Sequence, residues 1–147
     1  MKKKVVVFSQ IDATILTRLQ QHYEVVVINP KVGDGNEQIL HEVTNADGMI
    51  GAGRLLNASH IAHAKQLKII SSVSVGYDNY NVQDLNAHHV WLAHTPHVLT
   101  ETTADLAFTS LMSAARQVTY LDRWTKTGQW TRTAGTAQFG QDIINKT

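Results

Sequence analysis

Between Ser71 and Asn79 a run of small and β-branched residues, Ser-Ser-Val-Ser-Val, leads into Gly76-Tyr77-Asp78-Asn79. Where a strand gives way to a glycine turn, successive main-chain N–H groups can converge on an anion. A residue without a side chain leaves that approach open. Such a turn can grip a small carboxylate without a dedicated arginine. Taken alone, the same residues are better read as an ordinary strand-ending turn. A second run, Thr95-Pro96-His97-Val98-Leu99-Thr100-Glu101-Thr102-Thr103-Ala104-Asp105, sets a proline and threonines ahead of a helical segment. A loop feeding a helix start offers free N–H donors and threonine hydroxyls to a ligand, or is simply a capped helix.

Other candidates are weaker. Gly51-Ala52-Gly53 opens like the dinucleotide fingerprint G-x-G-x-x-G, but Leu56 stands at the third glycine position. No acidic residue ends a strand about 20 residues later, where a ribose would need one. An ordinary strand-to-helix turn, at most bordering a substrate pocket, is the better reading. Of the eight histidines, His60 and His63 could share a helix face, and His94 and His97 flank a turn. Neither pair has a third ligand at metal-binding spacing, so surface or satisfied histidines are expected and no metal site is assigned. With no cysteine, disulfides, thiol nucleophiles and thiolate metal sites are excluded. Trp91, Trp124 and Trp130 are too separated to stack bases, which leaves core or interface roles.

These residues need elements to hold them. Short β-branched runs alternate with segments of helical period, the pattern of a parallel sheet covered on both faces. Strands are expected at Lys4–Phe8, Glu24–Asn29, Asp47–Ile50, Lys68–Ser72 and Val90–Ala93. Helices are expected near Asp12–Gln21, Asn36–Thr44, Ala58–Ala64 and Val82–His88. Asp12, and Pro30 with Gly33-Asp34-Gly35, supply caps and turns. The layout is flavodoxin-like. After Pro96, one long helix from Thr100 to about Lys126 is predicted, with Thr100 as N-cap and Glu101 and Asp105 near its positive end. Its apolar stripe runs through Ala104, Ala107, Leu111, Ala114, Val118 and Leu121. Gly128 ends it, and Gln129–Thr147 reads as an irregular connection.

Composition sets the class. The 147 residues are 43% hydrophobic and 17% charged, enough for one domain with a real core. A net charge of +1 gives no case for nucleic acid or an acidic membrane as partner. Lys2-Lys3-Lys4 before Val5-Val6-Val7-Phe8 is too short for a signal peptide, and no stretch nears the roughly 20 apolar residues of a membrane span. A cytoplasmic domain is expected.

Together the motifs are more specific than apart. Ser74–Asn79 (S-V-G-Y-D-N), His94–Asp105 (H-T-P-x-V-L-T-E-T-T-A-D) and Gly128–Trp130 (G-Q-W) resemble the D-2-hydroxyacid dehydrogenases in order and spacing. The branch they most resemble is glyoxylate/hydroxypyruvate reductase, which includes 2-ketogluconate reductases. The resemblance implies a substrate domain at residues 1–99, an interdomain and dimerisation helix at 100–127, and a connection at 128–147 toward a nucleotide-binding domain not contained here. It implies that the main chain of Val75 and Gly76 binds the carboxylate of a small 2-oxo or 2-hydroxy acid. Thr100 and Thr102 would lie near the nicotinamide end of the cofactor, and the helix at 101–126 would form a homodimer. The family's catalytic arginine, glutamate and histidine, and its pyrophosphate-binding glycines, would lie downstream. The complete enzyme would use NAD or NADP, with no cofactor expected on this stretch and no basis here for choosing between them. The alternatives are a catalytically silent dimerisation module or a domain that binds small carboxylates without chemistry.

Overall fold

A computed structural model describes residues 1–29, 31 and 33–144. The turn expected at Pro30, and residues 145–147 of the expected connection, lie outside the described residues. The chain divides into two compact units, Met1–Val98 and Leu99–Thr147.

In the first unit β1 (Lys4–Val7), α1 (Ala13–His22), β2 (Glu24–Val27), α2 (Gly35–Val43) and β3 (Gly48–Gly51) are followed by α3 (Ala58–His63), β4 (Ile69–Ser72), α4 (Val82–Ala87) and β5 (Trp91–Ala93). The helices begin where polar side chains replace missing main-chain acceptors. Asp12 accepts from Thr14 N at 2.8 Å, Asp34 from Asn36 N at 2.8 Å, and Asn81 from Gln83 N at 3.0 Å. All five strands run parallel in the order β2-β1-β3-β4-β5, the flavodoxin-like arrangement.

Register decides which residues share a face. Val6 aligns with Met49, and Met49 with Ile70 and then Leu92. The first three of this row are at most 2% exposed and meet Ile39 and Val43 of α2, Ile61 of α3 and Leu85 of α4 in one core. Burying each such side chain contributes about 1.5–3 kcal/mol. The neighbouring row, Val5–Gly48–Ile69–Trp91, points the other way. Because β2 and β3 flank β1 on opposite sides, right-handed crossovers put α1 on that second face, opposite α2 to α4. Leu19 of α1 accordingly borders a cavity of about 280 Å³ with Val5, Ile50 and Ile69. Farther from α1 the face is open, with Ile69 42% and Trp91 77% exposed.

The second unit differs from expectation. The predicted long helix is two: α5 (Thr100–Ala115) and α6 (Val118–Lys126), separated at Arg116-Gln117, where Gln117 has a left-handed φ of 54°. The cause lies downstream. Gln141 N donates to Ala115 O at 2.7 Å, taking a carbonyl that a continuous helix would use itself. Gly140, at φ 65°, packs so closely that a Cβ there would stand 2.5 Å from that same oxygen. Arg116 adds an exposed ion pair to Asp142 at 3.4 Å. The expected stripe therefore does not run unbroken past Ala114. The N-cap also shifts: Leu99 occupies it without a side-chain bond, and Thr100 is the first helical residue. Gly128, at φ 73°, follows the end of α6, and a single 3-10 turn at Thr136–Gln138 interrupts the following connection. Trp124 stacks on Trp130 with ring centres 6.0 Å apart. Trp130 and Trp91 are exposed, so neither is a core tryptophan here.

Candidate functional site

Parallel strands deliver their carboxyl ends to one edge of the sheet, so the loops after β1, β3, β4 and β5 of the first unit are neighbours. Two bonds tie the first three loops. Ser9 Oγ accepts from Ala52 N at 2.7 Å, and Gly51 O accepts from Val73 N at 2.9 Å. Gly51 has no room for a side chain, because a Cβ would lie 2.7 Å from the buried Phe8 ring. Gly53 takes φ 72°. The helix after this loop begins only at Ala58, and Leu56 is engaged in a bridge with Tyr80. Gly51-Ala52-Gly53 is therefore not backed by the adjacent helix N-terminus that holds a pyrophosphate.

The loop after β4 carries Val75 and Gly76, both exposed. Their amide groups donate to nothing among the described residues. Their carbonyl side is held. Ser74 O accepts from Thr95 N at 3.0 Å, and Val75 O accepts from His94 Nδ1 at 2.9 Å. Each trans peptide unit is planar with C=O and N–H opposed. Fixing the Ser74 and Val75 carbonyls toward His94-Thr95 therefore turns the N–H groups of Val75 and Gly76 away from that segment. Two adjacent, unspent donors are what a small anion needs. The opposing feature is Asp78, whose Oδ2 would stand 3.3 Å from a Cβ at Gly76, putting a negative charge beside the turn. Gly76 is not in a left-handed conformation. Backbone conformation does not require glycine there, and its lack of a side chain leaves that side of the turn open.

Beyond the turn, Tyr77 meets His94 edge to face, with centroids 5.3 Å apart. Both rings border an open groove of about 750 Å³ between α4 and β5, floored by Leu85, Val90 and Leu92. Neither Val75 nor Gly76 lines it.

Thr100 and Thr102 stand exposed in the first turn of α5, in the second unit. His60 is buried in α3 and shares a capping box with Asn57, while His63 Nδ1 meets Ser59 O at 2.6 Å. Burial, and then the charge of His63, push the His60 imidazole below its ordinary value. Among the described residues, no three His, Cys, Asp or Glu gather as a metal site. Sequence reasoning weighed His94 only as half of a metal pair and Thr95 only as part of a helix lead-in, and missed that both bond to the turn after β4. The available signal was that His94-Thr95 directly follows β5, whose carboxyl end must lie beside that of β4.

The family model described as "D-isomer specific 2-hydroxyacid dehydrogenase, catalytic domain" matches residues 5–144. The chain belongs to that family. Among curated members of the D-2-hydroxyacid dehydrogenases, glyoxylate/hydroxypyruvate reductase B of Serratia proteamaculans (strain 568) is 36% identical over 147 residues, covering 100% of this chain and 45% of the relative. The protein of the same name from Klebsiella pneumoniae (strain 342) is 35% identical over the same length. The chain thus spans about half the length of these relatives. Among solved structures, the TT0316 protein of Thermus thermophilus matches with a TM-score of 0.81 and 30% identity, over 95% of this chain and 45% of that one. An NADPH-dependent glyoxylate/hydroxypyruvate reductase from Sinorhizobium meliloti, in complex with citrate, matches with a TM-score of 0.78 at 23% identity over 99% of this chain and 45% of that one, which speaks to fold alone. The α/β sheet described above is thus the architecture of this dehydrogenase family.

Proposed function

We propose that this chain is the substrate-binding part of an NAD(P)H-dependent reductase of small 2-oxo acids, of the glyoxylate/hydroxypyruvate type. The observation that carries the reading is the pair of outward, unspent N–H groups at Val75 and Gly76. They hold the substrate carboxylate by two charge-assisted hydrogen bonds, fixing the 2-oxo group relative to the loop. Thr100 and Thr102 meet the nicotinamide end of the cofactor. Residues 1–99 form the substrate domain, 100–127 the interdomain arm and 128–147 the connection. When bound, NAD(P)H supplies a hydride for the carbonyl carbon. The described residues fit only an edge of that cofactor, because the Gly51–Gly53 loop lacks both the third glycine and an adjoining helix. This reading assigns the arginine, glutamate and histidine of the chemistry to no residue of this chain. The protein works in the cytoplasm as a homodimer.

Titration of the ¹⁵N-labelled chain with oxamate, a non-reducible 2-oxo acid analogue, tests the anion site. The Val75 and Gly76 amides should shift together, and Gly76→Val should weaken binding by about 1.5–3 kcal/mol as a charge-assisted bond is lost. Saturable shifts absent from these two amides would refute the assignment. Mixed with NADH or NADPH and glyoxylate, the 147-residue chain should oxidise no cofactor above the enzyme-free rate. Activity that copurifies with the chain would place the chemistry here after all.

A further inference from the structure

His94 contributes more to the anion turn than a satisfied surface histidine would. Its Nδ1 lies 2.9 Å from Val75 O across 19 residues of sequence. A carbonyl oxygen only accepts, so Nδ1 carries the proton and Nε2 is the free ring nitrogen of the neutral form. The bond acts on the peptide unit that contains the Gly76 N–H, and the planarity of that unit converts a held carbonyl into an aimed donor. The Thr95 N to Ser74 O bond at 3.0 Å does the same for the preceding unit, but it is main chain to main chain and any residue with an N–H supplies it. At Val75 O the side chain is the sole partner among the described residues. Tyr77 lies edge to face against the imidazole, with ring centroids 5.3 Å apart.

We propose that His94 is a positioning residue for substrate recognition: its Nδ1–H holds the Val75 carbonyl and thereby directs the Gly76 N–H toward the bound carboxylate. The proposal rests on the reading of Val75-Gly76 as the anion site. A side chain placed for packing alone would not need a donor at Nδ1, and substitutions can separate the two roles. Phenylalanine keeps a ring edge for Tyr77 but has no donor, whereas asparagine keeps an N–H near the Nδ1 position without the ring.

Two measurements on the 147-residue chain decide it. Ring ¹⁵N shifts at about pH 8, where imidazole is ordinarily neutral, should show His94 as the Nδ1–H tautomer. The Nε2–H tautomer would overturn the proposal, and this result needs no variant. Oxamate titrations should then give a dissociation constant about tenfold weaker for His94→Phe, and within about threefold of wild type for His94→Asn, the scale of one hydrogen bond. Equal binding by wild type and His94→Phe would sink the positioning role and leave the anion site intact. Loss in both variants alike would assign His94 to packing instead. Absence of saturable Val75 and Gly76 shifts in the wild type would remove the anion site itself, and this inference with it.

Discussion

His60 and Glu42 show how single residues set the response to acid. His60 sits in the core end of α3 with its imidazole pushed below the ordinary 6.5, chiefly by burial. The folded state therefore binds fewer protons than the unfolded chain as pH falls below that value, and stability drops in that window. Glu42 is hydrogen-bonded to Lys4, which holds its carboxyl below the ordinary 4.5, so a second loss begins below that pH and ends once the folded carboxyl is also protonated. Urea unfolding should thus show a lower midpoint at about pH 5.5 than at about 7.5, and His60→Gln should flatten that difference. An unchanged pH dependence in His60→Gln would show that burial of this ring does not govern it. At this scale the sequence was informative where an effect is local. Asp12 and Asp34 cap helices by bonds to residues two positions on, at places the sequence marked for caps and turns, while Asn81 caps α4 in the same way without having been singled out. His94 could not be read that way, because its partner is set by the pairing of β4 with β5. Val75 and Gly76 were legible as a turn, but the direction of their N–H groups depends on that same long-range contact.

For whole elements, the strands were legible because β-branched runs such as Lys4–Val7 and Glu24–Val27 interrupt the helical period, and parallel pairing follows from the intervening helices. The failure was the helix after Pro96. Nothing between Thr100 and Lys126 breaks helical propensity, and Arg116-Gln117 are ordinary helix formers. The break is imposed by Gly140 and Gln141 closing on Ala115 from outside the helix. Replacing Gly140 by Ala should separate these segments. The left-handed backbone alone costs about 1–2 kcal/mol with a Cβ, and the contact with Ala115 O adds to it. Amide exchange should report fast loss of the Gln141 proton in Gly140→Ala, with the sheet amides of the first unit as protected as before. Retained protection at Gln141 would show that the closing segment tolerates a side chain.

Seen whole, the second unit has no fully buried side chain among the described residues. Neither α5 nor α6 contains a buried residue, and Leu106, Phe108 and Leu111 are 67%, 63% and 55% exposed. A stable interface takes about 800 Å² from each partner, and a second copy of this arm offers the same apolar surface. Sedimentation at micromolar concentration should therefore find a dimer, and Leu111→Asp should shift it toward monomer. A wild-type monomer at that concentration would end the case for association through this arm. The strand order carries a different consequence, for the sequence in which the molecule is built. After β1 and β2 pair, β3 adds to the free side of β1, and β4 and β5 each add to the edge left by the strand before. Every strand after β2 thus meets an edge that already exists, so the sheet can grow while the chain is still being synthesised from its N-terminus. The turn at Val75-Gly76 emerges before β5, yet its carbonyls have no clamp until His94 and Thr95 arrive. The clamp on the Ser74 and Val75 carbonyls is therefore among the last contacts the sheet acquires, formed only after Leu85 and Val90 have completed the core.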